Sequence, residues 1–376
     1  MRRFLPTVWV SLPFRLALVS LLLNFAVETS GVFLPLYAKS VGSSNLEIGF
    51  IAATYGIAFF LSSLFFGRQS DMHGRVGFIR SGLGLSAIAY LSQVTAHTPI
   101  TLLVARGAIG FCLGISSAAI MAYTYENQKE IGNFVSYGSL GWLLGALAAA
   151  AIRKYEVLFL TSAATSVLAF LVSLRLREEP TSRIRVPVLP LSLIKANRKV
   201  YLAFFTRQLG ANAIWAIFPI YLTGIGASKL WIAILDVINM GGQFIAMRFV
   251  GKFNPAKLFR IGLLVSALVF VIYGIATNYL QLIPVQVLLA IAWASMFIGA
   301  LNDLLRKSNE QGTVSGLLYS TIYLSAGLGP FLGGAVTQVW GFATLMYMGS
   351  SLSFLGYLSS WGLSADRQIR DTEFHA

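Results

Sequence analysis

The sequence predicts an all-α polytopic membrane protein. Of its 376 residues, 56% are hydrophobic and only 11% are charged, where a soluble domain carries about 25% charged residues. The mean hydropathy is +0.73, and apolar runs of span length recur along the whole chain. A net charge of +14 would suggest a nucleic-acid partner in a soluble protein. In a membrane protein it is the Lys and Arg excess of cytoplasmic loops, so no nucleic acid is expected and the lipid bilayer is the main partner.

A spanning helix needs about 20 apolar residues. That length predicts a first set of spans near 14–37, 46–66, 76–96, 99–123, 131–152 and 157–174. A second set follows near 200–223, 230–249, 257–276, 280–301, 313–337 and 342–362. The expectation is therefore twelve transmembrane helices in two pseudo-symmetric six-helix bundles, residues 1–174 and 200–376. Residues 175–199 between them carry Arg175, Arg177, Arg183, Arg185, Lys195, Arg198 and Lys199 with three prolines, and read as a solvated cytoplasmic basic linker.

Arg2 and Arg3 before an apolar run imitate a signal peptide. The run Leu16–Tyr37 exceeds a signal h-region and lacks a small-x-small cleavage site, so it reads as a retained first span. With the amino terminus inside, the outer loops hold only Lys39, Arg153, Lys154 and Lys229. The reverse orientation opposes the positive-inside bias, so both termini are expected in the cytoplasm and the chain in the cytoplasmic membrane.

The halves repeat. At a shift of 184 residues Pro35-x-Tyr37 and Gly42-x-Ser44 meet Pro219-x-Tyr221 and Gly226-x-Ser228, and Gly67 meets Gly251. The first two spans thus recur as the seventh and eighth.

Between the second and third spans lies Gly67-Arg68-Gln69-Ser70-Asp71-Met72-His73-Gly74-Arg75. A tight hairpin needs Gly at its corners, an acid favours a helix start, and Arg suits the anionic headgroup face. The pattern resembles the G-x-x-x-D-x-x-G-R loop signature of the major facilitator superfamily, with Gly67, Asp71, Gly74 and Arg75 in place. The resemblance implies that family's fold, with a solute site between the bundles near mid-membrane. It also implies a cytoplasmic gate in which Asp71 and Arg75 act as a latch and Glu126 is the acidic partner of Arg75.

Charges at mid-span cost at least about 2.5 kcal/mol on insertion scales and call for a reason. Glu28 sits mid-way in the first span with Asn24 one turn earlier; the counterparts at shift 184 are Asn212 and Gln208. Glu28 reads as a proton-carrying acid, similar to first-helix acids in drug–proton antiporters of the superfamily, or as a carboxylate locked in an ion pair. Arg106 in the fourth span is its natural partner, and Arg106-x-x-x-Gly110 resembles the family's fourth-helix motif. Asp236 in the eighth span, followed by Asn239 and Gln243, is a second proton site or a contact for a cationic solute. Arg15 and Arg207 are read as structural, snorkelling from helix ends.

Candidate cavity residues are Asn24, Gln208, Asn212, Asn239 and Gln243, with Trp215, Tyr319 and Tyr323 as aromatic contacts. Such aromatics are more often packing or interface anchors. In the eleventh span Gly327-x-Gly329-Pro330-x-x-Gly333-Gly334 reads as a helix-packing surface. It resembles an antiporter pattern that the family carries in its fifth helix. Here the fifth span has Gly138-x-x-Gly141-x-x-x-Gly145 without proline, and its opening Gly132-x-x-x-x-x-Gly138-Ser139-x-Gly141-Trp142 resembles members of the sugar-symporter branch, which leaves direction open.

No G-x-x-x-x-G-K-[ST] loop is present, and no cluster of His, Asp or Cys suggests a metal or an enzyme; Cys112 is the single cysteine. The expected function is secondary transport by alternating access, with proton-coupled efflux of a small amphipathic compound ranked first. Proton-coupled uptake or uniport of a sugar or organic solute ranks second, and a non-transporting receptor is the alternative from another class. The proton gradient would supply the energy, with no cofactor, and the working unit is expected to be a monomer.

Overall fold

The structure, a computed structural model, describes residues 11–127, 131–178, 191–308 and 311–361. Most of the linker (179–190), the two terminal segments, and the side chains of Asp71 and Glu126 lie outside the described residues. The long α-helices follow from apolar runs, whereas α8 is a six-residue helix inside the expected linker, and α9 begins there at Arg198. The order begins α1 (Leu12–Gly31), α2 (Leu34–Ser40), α3 (Asn45–His73), α4 (Arg75–Val94), α5 (Pro99–Asn127), α6 (Ile131–Ile152) and α7 (Tyr155–Ser173). It continues with α8 (Leu191–Ala196), α9 (Arg198–Trp215), α10 (Phe218–Gly224), α11 (Lys229–Val250), α12 (Pro255–Ile275), α13 (Leu282–Lys307) and α14 (Gln311–Ser359). Seven helical stretches among the described residues are long and apolar enough by themselves to cross a bilayer.

The predicted first span is interrupted. α1 stops at Gly31 and α2 resumes at Leu34, with Pro35 in its first turn. Proline lacks an amide N–H and clashes with the preceding turn, so it fits a helix start and not an interior. The second half breaks at the same register, α9 ending at Trp215 and α10 starting at Phe218 with Pro219. Each short helix is followed two residues on by a left-handed glycine, Gly42 at φ 93° and Gly226 at φ 91°. The repeat visible in the sequence is thus a repeat of backbone geometry.

The loop signature is tighter than expected. α3 runs on to His73, and Gly74 alone reverses the chain at φ 97° before α4 starts. Asp71 therefore lies in the last turn of α3, not at a helix amino terminus. Its predicted macrodipole role is withdrawn, because a carboxylate is favoured at the positive end of a helix. α14 is two helices joined at Gly341, whose φ of 81° interrupts the helix between the two predicted spans.

The chain divides into two compact units. The first comprises Met1–Ser43, Thr54–Val186 and Ser228–Val237; the second comprises Ser44–Ala53, Pro187–Ala227 and Ile238–Ala376. In the first, α1 packs on α6 and α7, and α4 on α5 and α7, around a core of Leu16, Val19, Ile79, Leu83, Ile120 and Tyr123. In the second, α9 lies along α14, and α12 packs on α13 and α14. Its core holds Phe204, Phe259, Leu263, Met296, Phe297 and Leu318.

The predicted packing surface of the eleventh span meets α9. A Cβ on Gly329 would come 2.7 Å from the Leu209 carbonyl, and one on Gly333 would run into the Ala213 backbone. On the other side of α14, Gly334 abuts Asn45 and Gly49 at the start of α3, and Pro330 is its neighbour there. Small residues at these points permit the backbone-to-backbone approach that packs helices in lipid, where no hydrophobic drive acts between them.

Candidate functional site

Glu28 lies near the end of α1 that continues into α2 and is half-buried. Its position is set by α6. A Cβ on Gly145 would sit 2.8 Å from the Glu28 Cβ and 3.0 Å from the Phe25 carbonyl oxygen, so only glycine lets α6 come this close. One turn back, Asn24 donates its Nδ2 to the Ser20 carbonyl oxygen at 2.8 Å and packs beside Gly138 and Gly141. The fifth-span glycines thus form the wall behind Asn24 and Glu28 of α1.

Arg106 is 6% exposed. Its guanidinium carbon lies 4.3 Å from the centre of the Tyr55 ring, a cation–π arrangement that strengthens where water is excluded. The sequence-expected pairing with Glu28 is replaced here: among the described residues Glu28 makes no ion pair, and Tyr55 stands in electrostatic contact with both Glu28 and Arg106. The charged group acting on Glu28 within this unit is Asp236 of α11. Two half-buried carboxylates and one buried cation thus belong to the same unit, with Tyr55 facing both Glu28 and Arg106.

The loop signature binds a residue that sequence reasoning passed over. Glu178, just beyond α7, accepts the backbone N–H of Arg75 at 2.6 Å and that of Val76 at 2.8 Å. These are orphan donors at the first turn of α4, and the carboxylate also suits the positive end of the helix. The carbonyls that follow α7 are taken as well. Arg80 donates to Ser173, Leu174 and Leu176, Arg15 to Arg175, and the Tyr123 hydroxyl to Arg177. The expected partner of Arg75, Glu126, has a side chain outside the described residues. The one signal available in the sequence was an acid amid the basic linker, which composition alone reads as solvated.

In the second unit the polar candidates are mostly engaged with one another. Asn212 donates Nδ2 to Ser325 Oγ at 3.0 Å, and Asn239 donates to the Gln286 carbonyl oxygen at 3.3 Å and accepts from Gln243. Trp215 stands edge-on to Phe218 at 5.2 Å, and Tyr319 edge-on to Phe297 at 5.9 Å; Tyr323 is half-buried on α14.

Gln208 is 5% exposed and accepts from Arg207, which removes it from the residues free to meet a solute. Arg207 does not snorkel either. It is 2% exposed, donates Nε to Ser266 Oγ at 3.1 Å, and lies between the rings of Phe270 and Trp293 at 5.5 and 5.4 Å. The snorkelling expectation fails because the side chain points into the α9–α12–α13 packing, where neutral acceptors and ring faces hold it.

A sequence model of the Major Facilitator Superfamily matches residues 16–299. The quinolone resistance protein NorA of Staphylococcus aureus (strain MSSA476) is 23% identical over 350 residues, covering 86% of this chain and 89% of NorA. The multidrug resistance protein MdtG of Salmonella arizonae is 23% identical over 370 residues, covering 90% and 91%. Among solved structures, a bacterial homologue of the human lysosomal transporter Spinster superposes with a TM-score of 0.80 at 14% identity, over 96% of this chain and 97% of that one. A D-xylose–proton symporter superposes with a TM-score of 0.75 at 16% identity, over 94% and 98%.

Proposed function

The chain belongs to the major facilitator superfamily, and on that premise we propose that this membrane transporter couples proton influx to the efflux of a small amphipathic compound. The observation that carries the reading is Glu28, a mid-span carboxylate with no ion pair among the described residues. An uncompensated charge at that depth is costly, and binding a proton removes it. A permanently paired structural carboxylate would have its cation in contact; here the expected cation, Arg106, rests on Tyr55. Asp236 acts as the second acid of the same unit. The resistance proteins NorA and MdtG, matched along most of their length, support efflux over uptake.

In this reading Asn24, Asn212, Asn239, Gln243, Trp215, Tyr319 and Tyr323 supply contacts to the compound, and no cofactor beyond the proton gradient is used. Gly67, Asp71, Gly74 and Arg75 belong to the cytoplasmic latch, with both termini on that side and a monomer as the working unit.

The test is internal pH in proteoliposomes holding an imposed proton gradient while lipophilic cations, sugars and organic acids are added in turn. A lipophilic cation that collapses the gradient in wild type but not in Glu28→Gln supports the proposal. Collapse by sugars alone would favour uptake. Solute equilibration without any proton movement would make the protein a uniporter and Glu28 structural.

A further inference from the structure

The second unit holds a groove of about 460 Å³ where the linker enters it, between α8, the first turns of α9 and both parts of α14. That volume falls within the range of small-molecule sites, about 300–1,000 Å³. None of the residues assigned to the solute lines it.

The groove changes character along its length. At the mouth stand Arg198 and Lys199, with no carboxylate among the lining residues. Farther in, the wall is Leu202, Phe205 and Leu324. On α9 the residues Arg198, Leu202 and Phe205 share one face by their i, i+4, i+7 spacing, about 10 Å from first to last. α14 runs alongside in the same direction: the Tyr201 hydroxyl donates to the Val314 carbonyl oxygen at 3.2 Å, and deeper in, Gly329 abuts Leu209. The apolar wall therefore continues inward, with Leu202, Leu324 and Leu328 all exposed.

The mouth calls for an anion that the chain does not supply. α9 has no acid in its first turn and no side-chain cap, and its two cations stand at the positive end of the helix, against the dipole. At the start of α4 the chain provides such an anion itself, as Glu178. The internal repeat sharpens the contrast. At the shift of 184 residues, Lys199 and Ser359 correspond to Arg15 and Arg175. In the first half Arg15 donates to the Arg175 carbonyl oxygen at 2.9 Å; in the second, Lys199 and Ser359 are walls of the groove. The lining hydroxyls of Tyr201, Thr321 and Ser359 all donate to carbonyls of α14. Arg198 and Lys199 are thus the side-chain donors that the lining offers to an anion.

We propose that this groove binds one anionic phospholipid, with its phosphate on Arg198 and Lys199 and an acyl chain along Leu202, Phe205 and Leu324. A cationic mouth leading to an apolar wall matches an amphiphile whose charge stays at the membrane face. A soluble anion would leave the apolar wall unused. A zwitterionic lipid would bring its own cation to a place that already has two. In the orientation proposed above this end faces the cytoplasm, whose leaflet carries anionic lipid. Binding itself depends neither on that orientation nor on proton coupling.

The test uses the full chain in detergent, with bound lipid read by native mass spectrometry. The probes are dioctanoyl phosphatidylglycerol, dioctanoyl phosphatidylcholine and inorganic phosphate. A cation beside anionic headgroups is worth about fivefold in affinity. The double variant Arg198→Gln with Lys199→Gln should therefore weaken phosphatidylglycerol binding about 25-fold, to the level of phosphatidylcholine. Lys252→Gln with Lys257→Gln, at another loop of the same unit, should leave it unchanged. Equal affinity of wild type for the two lipids overturns the site, and so does an equal loss in the second double variant. Full displacement of the lipid by inorganic phosphate makes the groove a soluble-anion site and overturns the lipid assignment. A diazirine on the acyl chain should cross-link wild type within residues 198–205 or 318–328; cross-links confined elsewhere overturn the placement, whether or not the variants fold.

Discussion

The Glu178 carboxylate receives the backbone N–H of Arg75 across 103 residues of chain, at 2.6 Å. Through this bond the reversal at Gly74 is tied to the end of α7, and the loop signature becomes part of the packing of the first unit. The glycine is required twice over. Its φ of 97° is a left-handed conformation, and a Cβ there would lie 3.0 Å from the Glu178 carboxylate.

Glu178→Ala should cost about 1 kcal/mol, the usual value of a helix amino-terminal cap. Thermal unfolding of the detergent-purified protein checks this, and Glu178→Gln, which retains an acceptor, should recover part of the loss. An unchanged midpoint in Glu178→Ala would mean that the cap does not hold the loop.

Glu28→Gln should abolish proton-driven flux and leave exchange at equal pH intact. The glutamine is nearly isosteric and keeps the contact with Gly145, so packing is preserved while the titrating group is lost. Full driven flux in this variant removes the acid from the mechanism.

Gly145→Val should impair transport through α1. Its added side chain would press on the Glu28 Cβ and the Phe25 carbonyl, and backbone cannot rotate away as a flexible side chain can. Overpacking of this kind costs about 1–3 kcal/mol. A wild-type unfolding midpoint and wild-type flux in Gly145→Val would show that α1 and α6 separate more readily than their spacing implies.

Tyr55→Phe should preserve the support of Arg106, whereas Tyr55→Leu should not. The ring face, not the hydroxyl, meets the guanidinium at 4.3 Å, and a desolvated contact of this type is worth about 2 kcal/mol. The comparison to make is the unfolding midpoint of the two variants; equal midpoints would mean that Arg106 is held by something other than the ring.

Gln208→Leu should destabilise by about 1–3 kcal/mol, because it strands a buried guanidinium donor without its acceptor. The double variant Arg207→Met with Gln208→Leu should recover most of that loss, as replacing a buried charge together with its partner is often neutral. A double-mutant cycle measures the coupling. Additive losses would show that Arg207 and Gln208 act independently.

Much of the fold was legible because hydropathy is a local property. Apolar runs of span length, Pro35 and Pro219 at matched places, and Gly42 and Gly226 after them each act through neighbouring residues. They suffice to set helices, breaks and the repeat. Glu28 and Asp236 were legible for the related reason that a charge within an apolar run stands out in any window.

What only the tertiary structure decided is which side chains meet. Glu178 looks like a solvated acid in a basic segment until α4 presents two free N–H groups to it. Arg207 looks like a residue at a helix end until α12 and α13 close over it. Gln93 looks like an ordinary polar residue before a turn until packing takes it out of water with both its amide atoms unpaired. The physical reason is common to all three. Burial and hydrogen bonding depend on surfaces brought together from distant parts of the chain, and no periodicity within one helix records which surface it will face.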